Sequence, residues 1–182
     1  MIGPPKFSVG TKNMRFKICL AALAATAAFA SPAFGQTVSA TAQARGLVLQ
    51  PITLSRTADL DFGTVISGPI AGSVDINEDT GFRTVTTVVA GPQAGGRGLF
   101  SGAGTATRQV VLTLTYPAVL VSGANTLPIN SLEFDTAGGT STTRTIPAAG
   151  TFQIGVGGNF GIGVNQPAGL YAADFQVTAQ YL

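Results

Sequence analysis

Asp59 and Asp61 flank Leu60, so on a strand both carboxylates would share one face while Leu60 and Phe62 share the other. Two carboxylates so placed are the equipment of glycoside hydrolysis, in which one works as acid and the other as base or nucleophile. A second acidic run, Asp75-x-Asn77-x-Asp79-x-Gly81, resembles the first half of a calcium loop, where alternate oxygen ligands surround the ion. A third segment, Gly95-Gly96-Arg97-Gly98, has the glycine density of a phosphate cradle.

None of the three is completed by its surroundings. No Trp platform accompanies the Asp pair and aromatics are few, so the pair reads as the solvated face of a strand. In the acidic run the glycine falls one place late, and Thr86 stands where a bidentate Glu should close the loop. An ordinary turn between strands accounts for it. The glycine-rich segment lacks the Lys-Ser/Thr that a phosphate loop needs. The chain also has no His, which removes the commonest general base, the commonest metal ligand and any ordinary Ser–His–Asp triad. The expectation is a protein that is not an enzyme and has no cofactor or metal.

Charge is unevenly placed. All three Lys and Arg15 lie in the first 17 residues, whereas every acid lies beyond residue 58. Past residue 35, six Arg face eight acids, a net charge of −2 in place of the whole chain's +2. A nucleic-acid-binding surface is not supported. The N-terminal charge belongs to another pattern: basic Met14-Arg15-Phe16-Lys17, the apolar run 18–30, then Ser31-Pro32-Ala33-Phe34-Gly35-Gln36 with small residues at Ala33 and Gly35. This is the layout of a secretory signal peptide over 14–35, cleaved before Gln36. The run is shorter than the roughly 20 apolar residues that span a bilayer. Residues 1–13 read as an over-extended start, with Met14 the natural initiator. Cys19, the chain's one cysteine, leaves with the leader, so disulfides, redox chemistry and thiolate metal sites leave too.

Beyond the leader no stretch shows a helical period. Short alternating or β-branched runs recur at 37–45, 47–55, 59–65, 73–77, 83–89, 98–102, 108–116, 129–135, 151–156, 159–164 and 170–182. Gly, Pro and Asn clusters punctuate them, including a turn at 125–128 and bulk-poor stretches at 91–105 and 136–150 that read as surface loops. Such spacing implies an all-β chain, an antiparallel sandwich or barrel, with 47–182 as one domain. The last run is the most regular: Tyr171, Ala173, Phe175, Val177, Ala179 and Tyr181 share one parity, and mostly polar residues share the other.

That last run resembles the C-terminal motif of chaperone–usher pilins, with Gly169 fourteenth from the end, Tyr181 penultimate, and alternate apolar residues between. The block from Pro51 to Val65, with Leu60-Asp61-Phe62-Gly63 at its centre, resembles the signature of a family of secreted bacterial proteins, domain of unknown function 4402. That family is similar to spore-coat-U and fimbrial subunits. The resemblance covers most of residues 40–182. It implies an immunoglobulin-like antiparallel β-sandwich that lacks one strand, the gap being covered by a periplasmic chaperone and then filled by a neighbour's N-terminal extension at an outer-membrane usher. Gly169, Tyr171, Ala173, Phe175, Val177, Ala179 and Tyr181 would form the interaction strand. The candidate donor is 36–46, where Val38, Ala40, Ala42, Ala44 and Gly46 alternate with polar residues. Many relatives carry a disulfide that this chain, once cleaved, cannot form.

Three readings stay open. The chain is an exported subunit of a surface filament, with copies of itself or related subunits as partners; or a self-complete binding module at the cell surface or outside it; or an eight-stranded outer-membrane barrel. The scattered aromatics argue against the barrel. An ordinary first strand in its own sheet competes with the donor role for 37–46.

Overall fold

A computed structural model describes residue 35, residues 37–136 and residues 138–182. The expected over-extended start at 1–13, the leader apart from Gly35, and Gln36 lie outside the described residues. The chain divides into two units, Met1–Gly46 and Leu47–Leu182. In the first unit, residues 37–46 are exposed and form no strand, contrary to the strand expected over 37–45. Their small side chains offer little apolar area to bury, and the order they show is local: Arg45 donates to the Gln43 side-chain oxygen from Nε and Nη2 at 3.1 and 2.6 Å.

The second unit is all-β, with no helix among the described residues. Its strands are β1 (Thr53–Ala58), β2 (Val65–Ile66), β3 (Gly72–Ile76), β4 (Arg83–Thr86), β5 (Val89–Ala90), β6 (Gly98–Ala103), β7 (Gln109–Thr115), β8 (Val119–Ser122), β9 (Asn125–Phe134), β10 (Ser141–Thr145), β11 (Thr151–Ile162) and β12 (Gln176–Tyr181). Every pairing is antiparallel. The larger sheet has the order β1-β6-β11-β3-β4, with β9 on β11 and β8 on β9; the smaller is β10-β7-β12; β2 and β5 make a short ribbon. The two larger sheets form a β-sandwich, as the alternating sequence runs lead one to expect.

β11 is the spine. It pairs with β6 over Thr151 to Val156, with β3 over Gly158 to Ile162, and with β9 over Val156 to Phe160. At Gly158 a Cβ would run into the Ser131 carbonyl and the Leu132 side chain, so only glycine lets β9 close in there. For the same reason the two strands expected at 151–156 and 159–164 are one continuous strand. Val110, Leu112 and Leu114 of β7 pack with Leu132 and Phe134 of β9 and Ile154 and Val156 of β11 as the main core. A smaller core joins Val74, Leu127, Phe160 and Ile162. Each fully buried side chain of this size is worth about 1.5–3 kcal/mol.

Several expected boundaries move, each for a local reason. The run 47–55 becomes a strand only at Thr53, and 59–65 is no strand until Val65, because its backbone hydrogen bonds go to the 91–96 loop instead of a ladder. The run 83–89 breaks after Thr86, where Thr87 takes φ 70°. The expected turn at 125–128 is the start of β9, which forms a hairpin with β8 around Gly123. The expected loop 136–150 contains β10, whose Ser/Thr-rich composition hides a strand paired along its whole length with β7. Around these, β7 stops at Thr115, short of Pro117, which has no amide to donate.

Candidate functional site

β12 pairs with β7 on one side, and among the described residues nothing pairs with its other side. The parity expected from the sequence holds along the whole terminal run. Tyr171, Ala173, Phe175, Val177, Ala179 and Tyr181 are half-buried, and the residues between them are exposed. The strand itself is shorter than expected: 171–175 is held by a backbone exchange between Val121 and Ala172 at 3.0 and 3.1 Å. The depth of burial differs sharply between the paired strands. Val110, Leu112 and Leu114 on β7 are buried, whereas no inward residue of β12 is. β12 thus covers the main core with side chains that are themselves only half-buried.

β1 borders the larger sheet as β12 borders the smaller, and the two are fastened at one end. The Tyr181 hydroxyl donates to the Gln50 carbonyl at 2.9 Å and accepts from the Thr105 amide at 2.7 Å. The Gln50 amide in turn donates to the Thr105 hydroxyl at 2.7 Å. Farther along, the borders part around a cleft of about 940 Å³ and meet again where the Ser67 hydroxyl donates to the Gln166 carbonyl and the Asn165 amide to that of Gly68, both at 2.8 Å. Its walls are 59–67 and 166–173, and its floor includes Leu127, Ile129, Leu132, Phe160 and Ile162. Among the described residues, Asp59 and Asp61 are its only charged lining residues. Gly169, exposed, stands on the second wall beside the Ser122 side chain.

The Leu60-Asp61-Phe62-Gly63 block builds the first wall, each residue with a separate task. Leu60 and Phe62 pack inward, and the Phe62 ring meets Phe160 edge-on with centroids 4.7 Å apart. Asp61 exchanges backbone hydrogen bonds with Gly96 at 2.9 and 2.6 Å, and its carboxylate accepts from the Gly63 amide at 2.8 Å. Gly63 takes φ 74°, and a Cβ there would overlap the Gln93 carbonyl, the Arg83 guanidinium and the Ala94 backbone. Phe175, which also lines the cleft, meets Phe100 with centroids 5.9 Å apart.

Arg83 is the residue that sequence reasoning missed. Its Nη1 donates to the carbonyls of Phe62 (3.3 Å), Thr64 (3.0 Å) and Gln93 (2.5 Å), and its Nη2 to that of Gly91 (3.2 Å). One planar fork thus ties the first wall to the loop behind it. The only signal in the sequence is an arginine inside a β-branched run without an acid beside it.

The three candidate chemical motifs do not assemble. Asp59 pairs with Arg56 at 2.6 Å on the surface, while Asp61 is committed to Gly63. In the acidic run the side chains turn to different partners: Asp75 accepts from Asn159 at 3.4 Å, Asn77 from Thr80 at 2.8 and 2.7 Å, and Asp79 from the Thr136 amide at 2.7 Å. In the glycine-rich segment Arg97 donates to the carbonyls of Glu78 and Asp79, closing that same turn. Among the described residues no three His, Cys, Asp or Glu side chains converge. Val38, Ala40, Ala42, Ala44 and Gly46 lie in the first unit, exposed and outside any strand.

What these residues build is a strand edge unpaired among the described residues, beside an apolar cleft. No curated protein and no solved structure matches the chain. The family model described as Domain of unknown function (DUF4402) matches residues 52–181, which takes in β1 through β12, and the chain belongs to that family.

Proposed function

We propose that the protein is an exported structural subunit of a surface filament, and that its cleft receives a strand from a neighbouring copy. The observation that carries this reading is the half-covered inner face of β12, with its outer edge unpaired beside the apolar cleft. An open strand edge with a half-buried inner face is an aggregation hazard unless something occupies it. The segment 37–46 has the alternation of an added strand, and its ten residues reach about 33 Å when extended. With Val38, Ala40, Ala42, Ala44 and Gly46 inward, its side chains are small, so backbone hydrogen bonds carry much of the affinity. The basic stretch 14–17 followed by the apolar run 18–30 supports export, with a periplasmic chaperone covering the cleft before an outer-membrane usher sets the neighbour in place.

The Tyr181 fastening favours a second reading, a sandwich that is complete by itself and decorates the cell surface as a monomer. Deleting 37–44 separates the two. A donated strand acts in trans, so the truncated protein should keep the melting temperature of dilute full-length protein and fail to form filaments in negative-stain images. A full-length protein that stays monomeric when concentrated and loses stability on truncation overturns strand donation.

A further inference from the structure

Past residue 35 the chain has six Arg and no Lys, and five of the six are held by the sandwich. Arg56 lies in β1 and pairs with Asp59, Arg83 clasps four carbonyls, and Arg144 lies in β10 against the Asp135 carboxylate. Arg97 donates to the Glu78 and Asp79 carbonyls. Arg108 is fixed through its backbone, its amide donating to the Thr105 carbonyl at 3.3 Å and its carbonyl accepting from the Ile146 amide at 2.8 Å. Arg45 differs. It is exposed, as is every residue from 37 to 48, and its guanidinium bonds to the neutral side chain of exposed Gln43.

Proteolysis needs what this stretch has. A protease holds its substrate as an extended strand and takes the backbone amides and carbonyls into hydrogen bonds of its own. A segment already paired in a sheet must first open, and its cutting follows the small population that is open. Among the described residues, no backbone amide or carbonyl from 37 to 49 is hydrogen-bonded to another backbone group. The first anchor is Gln50, whose amide and carbonyl are both bound to the sandwich. Arg45 therefore has unpaired backbone on both sides, Thr41 to Ala44 before it and Gly46 to Leu49 after it. Gly46 brings no side chain to crowd the bond between them. A guanidinium at that point is the group that a protease pocket floored by a carboxylate selects.

We propose that the Arg45–Gly46 bond is a processing site for an arginine-specific protease. Water adds across the bond: the carbon–nitrogen bond breaks, Arg45 keeps a carboxylate and Gly46 gains an amine. Every strand and both cores lie beyond the cut, so the sandwich stays whole while the segment 37–45 is lost. The consequence for assembly rests on the strand-donation reading. The product can receive a strand and cannot give one, so it ends a filament, and a segment already seated in a neighbour is shielded from the cut.

Brief trypsin digestion of the full chain, read by intact mass and thermal melting, tests the site. The fragment 46–182 should accumulate with an unchanged melting temperature, and cuts at Arg56, Arg83, Arg97, Arg108 and Arg144 should be at least about a hundredfold slower. Arg45→Gln should abolish that fragment and leave cutting elsewhere as it was. Comparable cutting inside the sandwich, or a fragment that has lost its cooperative melting, overturns the processing site. Negative-stain images test the consequence. Digested protein that no longer lengthens filaments, beside an Arg45→Gln variant that survives digestion and does, supports it. Digested protein that lengthens filaments as before overturns strand donation and leaves the processing site standing.

Discussion

The hydroxyl of Tyr181 on β12 donates to the carbonyl of Gln50, 2.9 Å away, three residues before β1 begins. The same oxygen accepts from Thr105 just past the end of β6, so one side chain joins both sheets of the sandwich at a single point. Beyond that point the borders part around the cleft and meet again where the Ser67 hydroxyl donates to the Gln166 carbonyl at 2.8 Å.

Tyr181→Phe tests the fastening. It leaves the ring and removes both hydrogen bonds, stranding a half-buried amide at Thr105, which should cost about 1–3 kcal/mol. Urea unfolding measures it, with Tyr171→Phe as the comparison. The Tyr171 hydroxyl serves only the 166–171 loop, through Pro167 and Gln166, and its loss should be smaller. Equal effects would mean that the Gln50 contact holds nothing together.

Arg83 makes a second prediction. Arg83→Met removes a donor set shared by four carbonyls and should destabilise by about 2–3 kcal/mol. Arg83→Lys keeps the charge but not the planar fork, and should recover less than half of that. Hydrogen exchange at the Thr64 and Gly91 amides, which bond within the clamped region, should speed up in both variants ahead of the core amides of β7.

At Gly63 two penalties coincide, left-handed backbone and lack of room, so Gly63→Ala should cost about 2 kcal/mol or more. Asp61→Ala removes only the carboxylate that accepts from the Gly63 amide, and should cost about 1 kcal/mol. Thermal melting of the pair gives the order. The reverse order would mean that the wall can yield around a new methyl group.

The terminal run gives a prediction of parity. Val177→Asp or Phe175→Asp puts an unpaired charge against the main core and should reduce stability by several kcal/mol or prevent accumulation. Gln176→Asp and Thr178→Asp, on the exposed face, should stay within about 0.5 kcal/mol of the parent. Similar losses at both parities in chemical denaturation would contradict the observed facing.

Much of this protein was legible as pattern. A period of two is a property of the chain itself, so the inward set Tyr171, Ala173, Phe175, Val177, Ala179 and Tyr181 could be read without knowing what they pack against. The same holds for β7, whose Val110, Leu112 and Leu114 are all buried and alternate with half-buried Val111 and exposed Gln109, Thr113 and Thr115. The polar composition of β10 concealed a strand, because Ser and Thr serve loops and sheet edges alike and only pairing with β7 tells them apart.

The sequence by itself determined the all-β class and the facing of the terminal run, since both rest on residue type at near-neighbour spacing, while Leu60-Asp61-Phe62-Gly63 stood out by its resemblance to a family signature. Tertiary structure alone decided why that block matters: Arg83 reaches back to Phe62 and Thr64 and across to Gly91 and Gln93, a set of partners that no local spacing encodes. It alone decided that the borders close at Gln50 and Tyr181, residues 131 apart in the chain, and open at the cleft. Periodicity is inherited from the geometry of a single strand, whereas a gap between two border strands exists only once both sheets have packed.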